Sequence, residues 1–329
     1  MFQPADPRLR ASSTRKSMRT SALGQTGLQV PAVGFGGGPF GGFYGAFDEA
    51  EGIAAIHLAI EQGMNLIDTS PYYGGGRSEE VIGKGLAGGW RDRAILATKC
   101  GRIAKDRFDF SAAAIKASCE TSLRLLGTDH VDILQAHDIE FEQDLDRVFD
   151  ETFKALEDLK RQGKCRFIGM TGYPIGLLIR AIETCALDVV ISYCHATLLD
   201  RTMLDRLEPV ARRRGTGIIN ASPMSMGILT MAGPPEWHPA PQSVKDACRR
   251  AAAVCARHGA DLSDLALQFP LSKTEIATTL VGVKDRAEVE RNLAAARKPL
   301  NEALLAEVMA ELHDVQGVCW PSGQWAAEG

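Results

Sequence analysis

Short apolar runs alternate with longer stretches of helical period along most of the chain. Strand candidates, rich in β-branched residues, lie near 32–36, 64–68, 93–99, 131–137, 165–170, 188–192, 217–221 and 278–282. Helical patterns fill the intervals near 48–62, 78–87, 111–126, 145–162, 175–186, 200–214, 245–258 and 285–297. In the 145–162 segment Leu145, Val148, Phe149, Thr152, Phe153, Leu156 and Leu159 share one face at the 3.6-residue period. Asp48 and Ser111 are placed to cap helix starts, and Gly63, Gly127, Gly163 and Gly215 stand where helices should stop.

Apolar strands that alternate with helices imply a parallel sheet covered by helices. Eight such units in roughly 265 residues predict an α/β fold, a closed (β/α)8 TIM barrel, over an open doubly wound sheet. One helix near 261–272 is surplus to the eight units. A Pro-rich insertion, Thr230 to Gln242, follows the seventh strand and carries Trp237 and His238. The tail, 300–329, adds a C-terminal helix and then Val-Cys-Trp320-Pro-Ser-Gly. The expected organisation is one barrel domain over 18–329 with extended loops, preceded by a disordered extension over 1–17, which is rich in Arg and Ser.

Composition narrows the class. Of 329 residues 45% are hydrophobic, which is enough for a large core, and the 37 basic and 41 acidic residues are well mixed. Nothing in that balance calls for nucleic acid or an anionic membrane. No apolar run approaches the ~18 residues a membrane span needs, so a cytoplasmic protein is expected. None of the eight cysteines forms a C-x-x-C pair. Buried free thiols in a reducing compartment are expected, and no metal site. The oligomeric state is left open.

Three successive strand segments end in ionisable residues: Asp68 after Met64-Asn-Leu-Ile, Lys99 after Ala-Ile-Leu-Ala-Thr, and His137 after Val-Asp-Ile-Leu-Gln-Ala. Tyr73 follows in the Gly-rich loop of Asp68-Thr-Ser-Pro-Tyr-Tyr. In a parallel barrel these ends open on one face. There an aspartate would hold the lysine charged, and the lysine would lower the tyrosine pKa from about 10 toward neutrality, where a phenol can exchange protons. His137 would orient a substrate oxygen. Taken singly, each residue has a plain structural reading: a cap, a solvated strand end, a buried histidine or a packing aromatic. Adjacent Tyr72 keeps the last of these.

A second group follows strands seven and eight. Ala221-Ser-Pro-Met-Ser-Met-Gly227 offers Ser222 and Gly227 for close approach to a pyrophosphate. Val281-Gly282-Val-Lys284-Asp-Arg opens the last helix, whose amides suit a phosphate. Gly34-Phe-Gly-Gly-Gly38 lacks the helix and acidic residue of a dinucleotide fingerprint and reads as a tight loop.

With these residues in place, the chain over about 18–325 resembles the aldo-keto reductase superfamily, through Asp68-Thr-x-x-x-Tyr73 with Lys99 and His137. Asp68-Thr-Ser-Pro-Tyr-Tyr-Gly-Gly, Gln135-Ala-His-Asp-Ile-Glu-Phe141, Ser192-Tyr-Cys-His195, Gly233-Pro-Pro-Glu-Trp-His-Pro239 and Trp320-Pro-Ser-Gly323 resemble the branch that holds the L-galactose and L-fucose 1-dehydrogenases. The resemblance implies that Tyr73 is the general acid/base and that Asp68, Lys99 and His137 support it. It also implies an extended nicotinamide cofactor and oxidation of the C1 hydroxyl of a sugar to the lactone. Thr171-Gly172, Ile191 and Ala221 stand where many members have Ser-Asn, Gln and an aromatic, so Thr171 and Ser222 are the remaining candidates near the nicotinamide. Glu288 stands where NADP-preferring members have an Arg, which points to NAD, with Lys284 nearby and Asn292 further along the same helix as cofactor contacts. Trp237, His238 and Trp320 are either sugar contacts or loop anchors. Two rival readings remain, an NADPH-dependent carbonyl reductase and a nucleotide-binding regulatory barrel that is not an enzyme.

Overall fold

The computed structural model describes residues 18–324, and the expected extension 1–17 lies outside the described residues. Twelve strands are described: β1 (Thr20–Ala22), β2 (Gln29–Pro31), β3 (Val33–Gly36), β4 (Leu66–Asp68), β5 (Ile95–Cys100), β6 (Arg102–Ala104), β7 (Arg107–Phe108), β8 (Val131–Ala136), β9 (Cys165–Gly172), β10 (Val189–Tyr193), β11 (Gly217–Ala221) and β12 (Thr278–Gly282). Eight of these close one parallel barrel in the order β3-β4-β5-β8-β9-β10-β11-β12, with β12 paired back onto β3. The fold is the expected (β/α)8 barrel.

The helices α1 (Glu49–Glu61), α2 (Arg77–Leu86), α3 (Ala112–Leu126), α4 (Leu145–Arg147), α5 (Phe153–Arg161), α6 (Ile175–Thr184) and α7 (Glu208–Arg214) follow strands in turn. They are joined by α8 (Gln242–Arg257), α9 (Leu262–Leu271), α10 (Arg286–Arg297) and α11 (Glu302–Leu312). Asp48 and Ser111 cap α1 and α3 by accepting from Glu51 N and Ala114 N. The segment expected as one regular helix over 145–162 is interrupted by a π turn, Val148–Thr152, where the Thr152 hydroxyl donates to Phe110 O. No helix among the described residues is long and apolar enough to cross a membrane. The eight cysteines are free thiols, seven of them buried.

Strand alternation decides what faces the barrel axis. Leu66, Ala97 and Ile133 pack in the interior cluster, while Ile67, Leu96 and Leu134 pack outward under the helices. Counting on by two from the inward residues reaches Asp68, Lys99, Gln135 and then His137. The same parity that builds the core therefore delivers the ionisable residues to the inner rim.

Two hairpins were not foreseen from the pattern. β6 and β7 pair after β5. The antiparallel β1–β2 hairpin closes the opposite end of the barrel, and its Leu23, Leu28 and Val30 join the interior cluster with Leu66, Ile133, Val189 and Ile219. Gly24, at φ +52°, lets its backbone lie against Gly217, where a Cβ would meet the Gly217 nitrogen at 2.3 Å. Leu23 is fully buried. We predict that Leu23→Ala costs about 3 kcal/mol in a urea denaturation curve. A loss below about 1 kcal/mol would show that the plug unfolds separately from the barrel.

Candidate active site

Lys99 Nζ donates to Asp68 Oδ1 at 2.6 Å, to Thr69 O at 2.8 Å and to Tyr73 OH at 3.3 Å. The side chains of Lys99 and Asp68 are only 3% and 5% exposed, so neither charge has solvent to fall back on. Burial opposes the lysine's charge, but Asp68 and Tyr73 hold its pKa above the ordinary value. Burial also raises the Asp68 carboxyl, which Lys99 only partly offsets. Tyr73 stands edge-on to His137, with ring centroids 5.9 Å apart.

The expectation of a tyrosine pKa lowered toward neutrality is corrected here. Burial raises the Tyr73 pKa, and the pull of Lys99 does not overcome it against Asp68 and Asp138. At neutral pH Tyr73 is a phenol that points at an ammonium. Burial likewise pushes His137 down to about 3, so its ring is neutral. Its neighbours accommodate the tautomer that a substrate oxygen needs. Ser70 Oγ accepts from Tyr72 N at 3.1 Å and lies 2.9 Å from His137 Nδ1. The serine proton is then free to go to Nδ1, which leaves the imidazole proton on Nε2, where it can be donated to a substrate oxygen.

An ion pair that the sequence reading missed lies beside this group. Arg102 pairs with Asp138 Oδ2, and its guanidinium is enclosed by the rings of Tyr72 (3.9 Å), Phe141 (4.7 Å) and Phe108 (5.3 Å). Burial works against the Asp138 charge, but His137 and Arg102 outweigh it and hold the carboxyl below its usual range. With His137 neutral, Arg102, aided by Lys99, does so at neutral pH. Thr171, expected near the nicotinamide, is spent on Asp138: its hydroxyl accepts from Asp138 N at 2.9 Å and donates to Oδ1 at 3.2 Å.

The aldo/keto reductase family model matches residues 32–312. The chain belongs to the aldo/keto reductase family. It is 45% identical to L-galactose dehydrogenase of Arabidopsis thaliana over 92% of this chain and 97% of that one. It is 29% identical to D-threo-aldose 1-dehydrogenase of a Pseudomonas species over 87% and 95% respectively. A solved aldo-keto reductase from Bacillus halodurans, in its holo form, superposes with a TM-score of 0.76 at 26% identity, over 94% of this chain and 100% of that one. As a member of this family the protein is an NAD(P)-dependent oxidoreductase.

The residues present fit a nicotinamide dinucleotide. After β11 the backbone carries an unusual run of positive φ at Ser222 (55°), Ser225 (45°) and Met226 (56°), and Gly227 follows. Ser225 Oγ is buried with no hydrogen-bond partner among the described residues, a donor waiting for an anionic ligand in the loop expected at the pyrophosphate. Sequence reasoning named Ser222 and Gly227 but passed over Ser225, the second hydroxyl of the same loop. Beyond the exposed Gly282, α10 opens with Asp285 as its cap. Glu288 turns back to accept from Lys284 N at 2.9 Å, so the helix N-terminus already holds two carboxyl groups. Arg286 is drawn away to Glu51 at 2.7 Å. Asn292 is buried one turn on from Glu288.

The three substrate candidates form one aromatic chain. Trp237 is half-exposed and stacks on His238, which meets the edge of the buried Trp320, itself stacked on Tyr173. Both His238 nitrogens are committed: Nε2 donates to Ser225 O at 2.9 Å, and Nδ1 accepts from Ala240 N at 3.1 Å. His238 thus anchors the Pro-rich insertion to the serine loop, while Trp237 and Trp320 retain open ring surface in differing degree.

The tail carrying Trp320 is strapped over the barrel mouth. Gly317 N donates to Leu199 O at 2.9 Å, and the Cys319 thiol donates to Asp200 Oδ2 at 3.6 Å. His195, Asp200 and Cys319 each bring one ligand-type atom within 4.8 Å of the others, a grouping that no local spacing announces. At the far end Ser322 Oγ donates to Glu140 Oε1 at 2.9 Å, and Gln324 N donates to Glu140 O at 2.9 Å. Burial, with Asp138 nearby, pushes the Glu140 carboxyl up to about 8. The fold therefore favours its neutral form. That contribution to stability is complete below the ordinary pKa of 4.5 and is lost as pH rises through about 8. We predict that wild-type stability falls between pH 5 and 8 by up to ~1.4 kcal/mol per unit from this group, and that Glu140→Gln flattens the fall. Melting curves stepped across that range decide it, and a wild-type-to-variant difference that is constant with pH refutes the assignment.

Proposed function

We propose that the protein oxidises the C1 hydroxyl of an aldose of the L-galactose or L-fucose kind to the lactone, with NAD as electron acceptor. The observation that carries this reading is the Asp68–Lys99–Tyr73 chain beside a neutral His137, in a chain 45% identical to a plant L-galactose dehydrogenase. A bound oxidised nicotinamide would supply the hydride acceptor for C1, which the chain's own side chains do not. The chain's own residues handle the proton. His137 Nε2–H donates to the C1 oxygen and holds it toward Tyr73. Tyr73, once its own proton has passed to solvent, takes the hydroxyl proton as the C1 carbonyl forms, and Lys99, kept charged by Asp68, stabilises that minor tyrosinate form before transfer.

The choice of NAD rests on α10. A 2′-phosphate brought to its N-terminus would meet the carboxyl groups of Asp285 and Glu288, with Arg286 engaged elsewhere. The ribose hydroxyl of NAD meets no such repulsion and can donate to a carboxylate.

Three results are expected. Tyr73→Phe lowers kcat by about 10²–10⁴-fold while the dissociation constant for NAD, read by fluorescence titration, stays within error. Full turnover in that variant refutes the proton role. Because burial raises the Tyr73 pKa above its ordinary 10.0, kcat/KM for oxidation should climb with pH across the neutral range without a plateau. A plateau that begins below pH 8 would show an already ionised tyrosine. Glu288→Ala should raise the affinity for NADP about tenfold or more relative to NAD, about 1.4 kcal/mol. A wild-type preference for NADP would overturn the cofactor choice.

A further inference from the structure

We infer that Asp138 and Arg102 form a subsite for the C2 hydroxyl of the sugar, which makes the protein selective for neutral aldoses that carry that hydroxyl. The inference rests on the aldose reading above and extends it. Asp138 Oδ2 lies 3.6 Å from His137 Nε2, too far for a hydrogen bond and close enough to flank any oxygen that the imidazole holds. With its C1 oxygen on His137 Nε2 and Tyr73 OH, a sugar can turn its gauche C2 hydroxyl toward Asp138 and Arg102, because Oδ2 flanks the same imidazole nitrogen. That hydroxyl donates to Oδ2 and accepts from the guanidinium.

The pair is built as a subsite. Asp138 and Arg102 have side chains only 6% and 12% exposed, and a buried ion pair with no further role is a poor source of stability. Three aromatic rings hold the guanidinium plane in one orientation. Asp138 sits at φ 53°, a conformation that costs a non-glycine residue energy, and Thr171 pins it there through both its backbone nitrogen and its carboxylate. Charge supplies the selectivity. Lys99 is neutralised by Asp68 and Arg102 by Asp138, while His137 is neutral. Neither Lys99 nor Arg102 is left over for a carboxylate, which favours a neutral polyol over a sugar acid.

The test compares kcat/KM for the aldose that wild-type protein oxidises fastest with that for its 2-deoxy counterpart, using NAD. The 2-deoxy sugar should be slower by about 10²-fold or more, because it leaves buried polar groups unpaired. Asp138→Asn should bring that ratio toward one, with the melting temperature and NAD affinity measured as controls on the fold. A wild-type ratio near one overturns the inference while leaving the aldose reading intact. A ratio unchanged in Asp138→Asn removes Asp138 from the subsite. No oxidation of any aldose by the wild type would instead overturn the reading on which the inference rests. Should the variant fail to fold, the wild-type ratio still decides.

Discussion

The contact between Lys99 and Asp68 is the constraint on which the rest of the site depends. Two opposite charges at 2.6 Å, almost fully out of water, can be tolerated only if each stays where the other is. That requirement fixes the lysine's reach across the rim and leaves one of its protons for the Thr69 carbonyl and one for Tyr73. Remove the carboxylate and the ammonium would have every reason to lose its charge, and with it the hold on the phenol. The strands can supply this pair cheaply because their pleat already sends every second residue inward. Where that inward face is apolar it makes a core, and where it runs out at the rim it makes a site.

A second buried pair repeats the arrangement one loop further on, between Arg102 and Asp138. The rim therefore carries two cations and two anions at close range with a neutral imidazole between them. Such a surface has strong local fields and almost no net charge. The backbone shows the cost of building it. All five non-glycine residues with positive φ among those described, Asp138, Cys194, Ser222, Ser225 and Met226, follow barrel strands at this one end.

Much of this was readable in the chain. The eight apolar runs alternate with helical patterns, which marks parallel strands, so their ends, and hence Asp68, Lys99 and His137, could be placed on one rim without a structure. The hairpin of β1 and β2 was not readable, because strands of three residues leave no alternation to see. Arg102 and Asp138 were passed over for a different reason. They are charges just past two strand ends, 36 residues apart, and a lone charge there reads as solvated until the fold encloses it. Ser225 and Glu140 were missed likewise, since only burial distinguishes them from ordinary surface polarity. The Tyr73 pKa shows the limit of arguing from neighbours. The sequence named the lysine that would pull the proton off, but it could not weigh that pull against the desolvation that keeps the proton on.

The strap from Gly317 to Gln324 bears on the order in which the molecule comes into being. Barrel closure needs β12 against β3, and both are complete by residue 282. Trp320 and Ser322, which clasps Glu140, follow both strands in the chain. The barrel can thus close while the mouth still lacks this wall. A chain cut before Trp320 would keep its strand pairing whole and lose that wall.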